Sequence, residues 1–422
     1  MNSIFLKTAA ILIVVMIIII VGIYYGYNIS NKVIYASFHS ITIYNTQNIP
    51  TPSPFQQDIA ICNDNINIGP NFAYVNNPIL FNEIDSNGQN VYFTTTNGSA
   101  PNIYSWYEGQ LINGSTYCDV WWIKLPNGIP ANSNVTIYMN IGPNNANYYQ
   151  QYYPYVGTNA QVIGTMQYDN GQYVFIAYGY FDNTFDGWRG YTYHGFFSPM
   201  ATSNGVEMIN FQGSEGTYIL PPNNWNIPRI PLIVEEAWYD KGLITYSIHG
   251  KIFVNADSNI ISLFGNTSQQ IKASSIGFTL GVLGVYTPTS NLSTFVQFDY
   301  YYGITFLAYA LSNSIFGILS QTSFPTSGGT FYSYLIVNSS YAQAGYYKYN
   351  SNQVWVPLTL LDTYNINNNG YTYANLNYNP FQYGTLEIGA GTGVYDTSYQ
   401  YEEWVVARAY PPNGVMPLIY IS

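Results

Sequence analysis

A chain of 422 residues with 10 Lys and Arg against 21 Asp and Glu has a net charge of −11, and it lacks the basic clusters that phosphate binding needs. That argues against a nucleic-acid partner. Charged residues are 7% of the chain, so surface polarity must come from Asn, Gln, Ser, Thr and 46 Tyr, a composition that stays hydrated when carboxylates are protonated. Two Cys and three His, with no CxxC, argue against a zinc site.

The first element is an apolar run. No charged residue lies between Lys7 and Lys32, and Ala9–Tyr27 is long enough to cross a bilayer core of about 30 Å as a helix. It leaves through Tyr24, Tyr25 and Tyr27, which suit a headgroup interface. A signal-peptide core is shorter and ends in a small-x-small site, whereas the nearest small pair here is Ala36-Ser37, far downstream. The run lacks the Lys/Arg-Gly step expected just before the apolar run of a pilin. It is read as a retained anchor, residues 1–30, with Lys7 and the α-amine inside and the rest of the chain outside. Residues 31–54 follow as a stalk ending in the proline-rich Asn45–Pro54.

Beyond the anchor the chain reads as all-β: short alternating runs broken by Asn-Gly, Pro and Gly. Residues 55–145 form a small β-sandwich. Within it Gln89–Thr95 alternates, Asn97-Gly98 turns and Asn102–Tyr107 returns, which predicts a hairpin. Val120–Leu125 and Asn134–Ile141 are further strands. Cys62 and Cys118 both fall here, and an even count outside the cell predicts a disulfide. Residues 146–164, polar and tyrosine-rich, read as a linker packed across a domain face. Residues 165–415 are large enough for a two-sheet jelly roll. Thr305–Leu319 is apolar but holds Gly317 and many β-formers, so it is read as strand or loop. The closing Pro417–Ser422 either ends its own sheet or adds to a neighbour's.

Three segments carry a resemblance. NGQNVYFTTTNGSAPNIYSWYEG (Asn87–Gly109) and VWWIKLPNGIPANSNVTIYMNIGPNNA (Val120–Ala146) resemble an uncharacterised β-sandwich domain that often precedes a concanavalin A-like domain in archaeal and bacterial surface proteins. Val91-Tyr92-Phe93, Gly98, Pro101, Tyr104, Trp106 and Glu108 sit where that family has "D-I-R-F…G…L-P-Y-W-I-E". The family's final G-N-P appears here as Gly142-Pro143-Asn144. Thr385–Pro417, with its Tyr401–Arg408 strand, is similar to the closing strands of concanavalin A-like, laminin-G-type jelly rolls, and Tyr178–Trp188 (YGYFDNTFDGW) is similar to their opening "F-D-D-F…W". The resemblance implies a surface location and a jelly roll. It implies function poorly, because that fold hosts lectins, glycosidases and adhesive modules.

It also implies a structural Ca²⁺ between the first strand and a carboxylate on the last, at Asp182, Asp186 and Glu403, with Glu402 and Asn183 as neighbours. Glu403 stands where the family has Asp. The bland reading is that these are turn-capping and edge carboxylates.

Catalysis has little to work with. No GxSxG is present, and Glu235-Glu236 are adjacent, so alternation points them to opposite faces. Glu236 and Asp240 share a face but lie some 13 Å apart along a strand. Asp396-Thr397-Ser398 has no second copy. Glycan binding is the natural alternative, because exposed aromatics stack on sugar faces. Trp225 in the loop PPNNWNIP, Trp188 and Tyr301 are the candidates, against the reading that most aromatics in a β-sandwich are core. Sequons at Asn97, Asn113, Asn134, Asn266, Asn291 and Asn338 are candidate glycosylation sites.

The expectation is an anchored adhesion or recognition protein at a cell surface or viral envelope. Its partners are the membrane and glycans or neighbouring surface proteins, with an oligomer left open. A structural component of a surface filament or archaeal virion is the first alternative, and an acid-active hydrolase the second.

Overall fold

The structure is a computed structural model describing residues 37–66, 72–193, 198–211, 216–222, 227–228, 230–240, 245–248, 251–255, 258–265, 294–301, 304–311, 315–323, 329–338, 341–349, 372–375, 383–391 and 396–422. These residues form four sheets and a few helices of one turn or so, an all-β architecture. Ala9–Tyr27 lies outside the described residues, and among the described residues no helix is long and apolar enough to cross a membrane.

Two sheets make the smaller sandwich. One has the order Leu418–Ile421, Ser37–Asn45, Ser133–Ile141, Val91–Thr94. The other has the order Tyr74–Asn76, Phe55–Cys62, Thr116–Leu125, Ser105–Asn113, Val156–Thr158. Ile41, Ile43, Ile137, Met139 and Phe93 of the first are buried, and Phe93 meets the Trp121 ring of the second edge-on at 6.1 Å.

Several expectations change here. Ser37–Asn45 is no stalk: SFHSITIYN alternates, its Ile41 and Ile43 fill the core, and it pairs antiparallel on both sides. The Asn45 side-chain amide donates to the carbonyls of Ile49 and Pro130, so the proline-rich stretch after it is pinned to the sandwich. Val91–Thr94 does not form a hairpin with Ser105–Asn113. It pairs with Ser133–Ile141, and the chain crosses at Asn97-Gly98 to the other sheet. The turn is genuine, with Gly98 at φ +69°, but a turn does not specify which sheet receives the next strand. Residues 146–164 hold the helix Tyr148–Tyr152 and the strand Val156–Thr158, which extends the five-stranded sheet. Leu418–Ile421 ends its own chain's sheet, beside Ser37–Asn45. Thr305–Leu319 falls on the strands Ile304–Leu311 and Ile315–Ser323.

The larger pair of sheets has seven and ten strands. The seven-stranded order is Arg189–Tyr193, Gly216–Leu220, Tyr383–Gly391, Ser258–Gly265, Thr294–Tyr301, Ile304–Leu311, Ile315–Ser323. The main path of the ten-stranded sheet runs Met200–Thr202, Gly205–Phe211, Asp396–Ala409, Leu232–Asp240, Gly329–Val337, Tyr341–Tyr349, Thr372–Asn375. Ala177–Tyr180 pairs with the far end of Asp396–Ala409. One face of this sheet, carrying Met208, Trp238, Phe331 and Leu335, is buried, as are Leu386 and Ile388 of the seven-stranded sheet.

The other face is covered at one end by the smaller sandwich. In VWWIKL, alternation sends Trp121 into the small core and Trp122 to the junction, where the Arg408 guanidinium lies over its ring. Gln56 Oε1 accepts from Ala409 N at 2.8 Å, and Gln57 Nε2 donates to Pro417 O at 3.1 Å.

Candidate functional site

Two central strands of the large sheet, Leu232–Asp240 and Asp396–Ala409, run antiparallel with one irregularity. Trp404 lies opposite Ala237, but Glu402 lies opposite Trp238, so Glu403 is an extra residue, a β-bulge. A bulge re-aims the side chains on either side of it. Glu402 therefore shares the inner face with Trp238, while Tyr401 shares the outer face with Tyr239.

The outer face beyond the bulge is partly exposed. Register places Met200, Glu207, Tyr401, Tyr239 and Thr330 in one row across five strands. Tyr239 is 38% exposed and Met200 52%. The Tyr239 and Tyr401 rings lie 6.2 Å apart, and Tyr399 meets Tyr401 edge-on at 5.5 Å, their hydroxyls 3.0 Å apart. The Tyr399 hydroxyl donates to Glu207 Oε1. Burial, then the hydrogen bond to the Glu207 carboxylate, pushes the Tyr399 hydroxyl above its ordinary range, so it stays a donor. At the covered end Tyr180, opposite Trp404, accepts from Gln161 Nε2 at 2.9 Å. The arrangement is a floor of half-buried tyrosine rings with one acidic acceptor. Such a surface stacks on the apolar face of a sugar and bonds its hydroxyls.

The inner face carries carboxyls. Trp238 Nε1 donates to Ser333 Oγ at 2.9 Å, and Ser333 Oγ donates to Glu236 Oε1 at 2.6 Å. Glu402 has no exposure, and among the described residues neither of its oxygens has a hydrogen-bond partner. Burial, then the charges of Glu236 and Glu403, raises the Glu402 carboxyl well above the usual carboxylate range. Burial alone carries Glu403 to about 8. The Glu235 and Glu236 side chains do point to opposite faces, Glu235 to Arg408 and Glu236 to Ser333, and neither reaches solvent. Such a pair has no open side from which a substrate could approach.

The residues singled out in the sequence separate. Trp188 is 3% exposed, with Nε1 donating to Tyr178 O at 2.7 Å and its ring against Phe181, so it is core and has no face free for a sugar. Trp225 lies outside the described residues, as does the side chain of Tyr301 at the end of Thr294–Tyr301.

The calcium candidates surround Tyr180, each with its own partner. Asp182 is exposed and takes a hydrogen bond from Asn183, while Asp186 Oδ2 accepts from Tyr180 N at 3.2 Å. Glu403 is held in the bulge, its carbonyl accepting from Phe181 N. Among the described residues no three Asp, Glu, His or Cys side chains form a group that could hold a metal ion.

Cys62 and Cys118 are disulfide-bonded directly across Phe55–Cys62 and Thr116–Leu125. Asn97, Asn113 and Asn134 are exposed and Asn338 is half-buried; Asn266 and Asn291 lie outside the described residues. Sequence alone does not single out Tyr239, Tyr399, Tyr401 and Glu207. Tyr399 and Tyr401, two apart in YQYEEW, were the available signal, since that spacing shares a strand face.

No family model matches the chain. Over 393 residues, 92% of its length, it is 28% identical to "Uncharacterized protein 562" of Sulfolobus islandicus rod-shaped virus 1, and it spans 59% of that relative's length. Among solved structures it is similar to the metal-free VIP36 exoplasmic/lumenal domain, with 9% identity, 58% of this chain and 97% of that chain covered, and a TM-score of 0.34. The metal-free Emp46p carbohydrate recognition domain gives 6% identity, 53% and 88% coverage and a TM-score of 0.29. Sheep galectin-11 gives 10% identity, 42% and 90% coverage and a TM-score of 0.22. The fold rests on the strand orders above.

Proposed function

We propose that this chain is an anchored surface protein that recognises glycans on the outer face of its ten-stranded sheet. The observation that carries the reading is the partly exposed row of Tyr401 and Tyr239 beside Glu207. Aromatic rings held in register by a sheet lose little entropy when a sugar stacks on them. Glu207, a buried acceptor at the rim, favours neutral sugar hydroxyls over acidic sugars. The apolar run Ala9–Tyr27 supports a tether that keeps this face at a surface.

The test is binding to a panel of immobilised glycans, with Tyr239→Ala and Tyr401→Ala as the variants. Loss of one stacking ring should weaken binding about tenfold, the effect of roughly 1.4 kcal/mol. Equal binding by wild type and both variants, or binding to no glycan at all, would sink the reading.

A second reading, a component of a virus particle, is favoured by the viral relative that matches 92% of the chain. Immunogold labelling of purified particles tests it.

A further inference from the structure

The four-stranded sheet turns one face into the small core and the other outward. On the outward face Phe38, Leu418 and Tyr420 are 46%, 43% and 55% exposed, and Tyr44 and Thr42 lie directly opposite Leu418 and Tyr420. Over the three strands from Leu418–Ile421 to Ser133–Ile141 the outward positions hold no Asp, Glu, Lys or Arg. A second feature lies in the chain itself. The described sandwich begins at Ser37, and the apolar run ends at Tyr27. Eleven peptide steps separate Tyr27 from Phe38 and span at most about 40 Å, so Phe38 cannot stand further than that from the end of the run.

We propose that this outward face rests on the lipid surface to which Ala9–Tyr27 tethers it, with Phe38, Leu418 and Tyr420 in the headgroup boundary. The proposal depends on reading Ala9–Tyr27 as a membrane span. The tether supplies the high local concentration, because a linker that short keeps the first strand beside the bilayer at all times. Phe, Leu and Tyr side chains gain from partial insertion at that depth, and Tyr keeps its hydroxyl in water. Absence of carboxylates from the face removes the repulsion that the chain's overall negative charge would otherwise meet at anionic lipid. The smaller sandwich would then stand on the membrane and hold the tyrosine row of the large sheet away from it.

The chain's two Cys are joined to each other, so an introduced Cys carries the only thiol. The full-length chain is placed in phosphatidylcholine vesicles with an environment-sensitive fluorophore on Leu418→Cys, or on Ile112→Cys in the other sheet as control. The Leu418 label should shift to the blue and be quenched by spin-labelled lipid; the Ile112 label should do neither. A Leu418 label that stays water-like while the chain resists an alkaline carbonate wash overturns the proposal and leaves the anchor standing. If the wash strips the chain and neither label responds, both fall. If the Leu418 label is equally shielded in detergent, where the chain sediments as a dimer, a second copy covers the face and the lipid assignment is wrong.

Asn134 is exposed on this face opposite Tyr44. Its sequon must therefore stay bare, and a glycan found there by mass spectrometry of the native protein would also overturn the proposal.

Discussion

Arg408 lies with its guanidinium carbon 4.9 Å from the centroid of the Trp122 ring, while its Nε donates to Glu235 at 2.8 Å and its Nη2 at 3.2 Å. One side chain thus joins the last long strand of the large sheet, its neighbour strand and the small sandwich. Trp122 is itself held by Nε1 donating to Glu108 at 2.7 Å. Arg408 and Glu235 are each 1% exposed, so the pair is desolvated on both sides. Removing one partner strands a buried charge. Arg408→Ala should cost about 3–5 kcal/mol in urea unfolding, and the double change Arg408→Met with Glu235→Leu should recover most of it.

Stability should be greatest in acid. Burial pushes Asp58 and Glu403 up to about 8, and Asp119 and Asp169 up to about 7. Each is a carboxyl whose folded value lies above its unfolded one, near 4, so the folded state holds the proton more tightly. Their contribution is complete below about pH 4 and is lost as pH rises through 7 and 8. The melting temperature should fall across that window. Asp119→Asn, keeping an acceptor for the Tyr107 hydroxyl 2.6 Å away, should make the fall shallower. A melting temperature that climbs from pH 4 to pH 8 would contradict this.

Gly205 has φ +112°, and a Cβ there would stand 2.2 Å from the Glu402 carbonyl oxygen. The glycine lets the tight Met200–Thr202 and Gly205–Phe211 hairpin approach the bulge. Gly205→Ala should destabilise the fold by about 1–3 kcal/mol and weaken any ligand of the tyrosine row, because it shifts Glu207 two residues away. Calorimetry and a binding titration measure the two effects separately.

Cys62 and Cys118 close a sequence separation of 56 residues within one sheet. Replacing both with Ala should cost about 2–5 kcal/mol, read by denaturant unfolding with and without reductant. Unchanged stability on reduction would show that the sheet does not depend on the link.

Much of this was legible in the chain, for local reasons. Alternation in SFHSITIYN, VWWIKL and NVTIYMNI marks strands wherever their partners lie, because one face of each must be apolar. Even so, nothing local in SFHSITIYN says that a strand next to a proline-rich stretch will find neighbours. The partner of QNVYFTT is hidden for a related reason: pairing is a long-range choice, and an Asn-Gly turn between two strands does not keep them in one sheet. Trp188 and Tyr239 show the same limit at the level of sites. Both are aromatics in aromatic-rich segments, yet Trp188 donates its N–H into the core while Tyr239 keeps part of its ring in solvent.

What the sequence by itself determined is the chemistry available: an uncharged apolar run at the start, an all-β chain poor in charge, two cysteines, and tyrosines in place of lysines at the surface. Those follow from composition and periodicity, which are local properties. What only the tertiary structure decided is which tyrosines meet solvent. The bulge at Glu403 sets which side of the strand Glu402 and Tyr401 occupy, the seven-stranded sheet covers one of those sides, and the small sandwich covers part of the other. Burial is a property of what packs on a face, and that depends on residues hundreds of positions away.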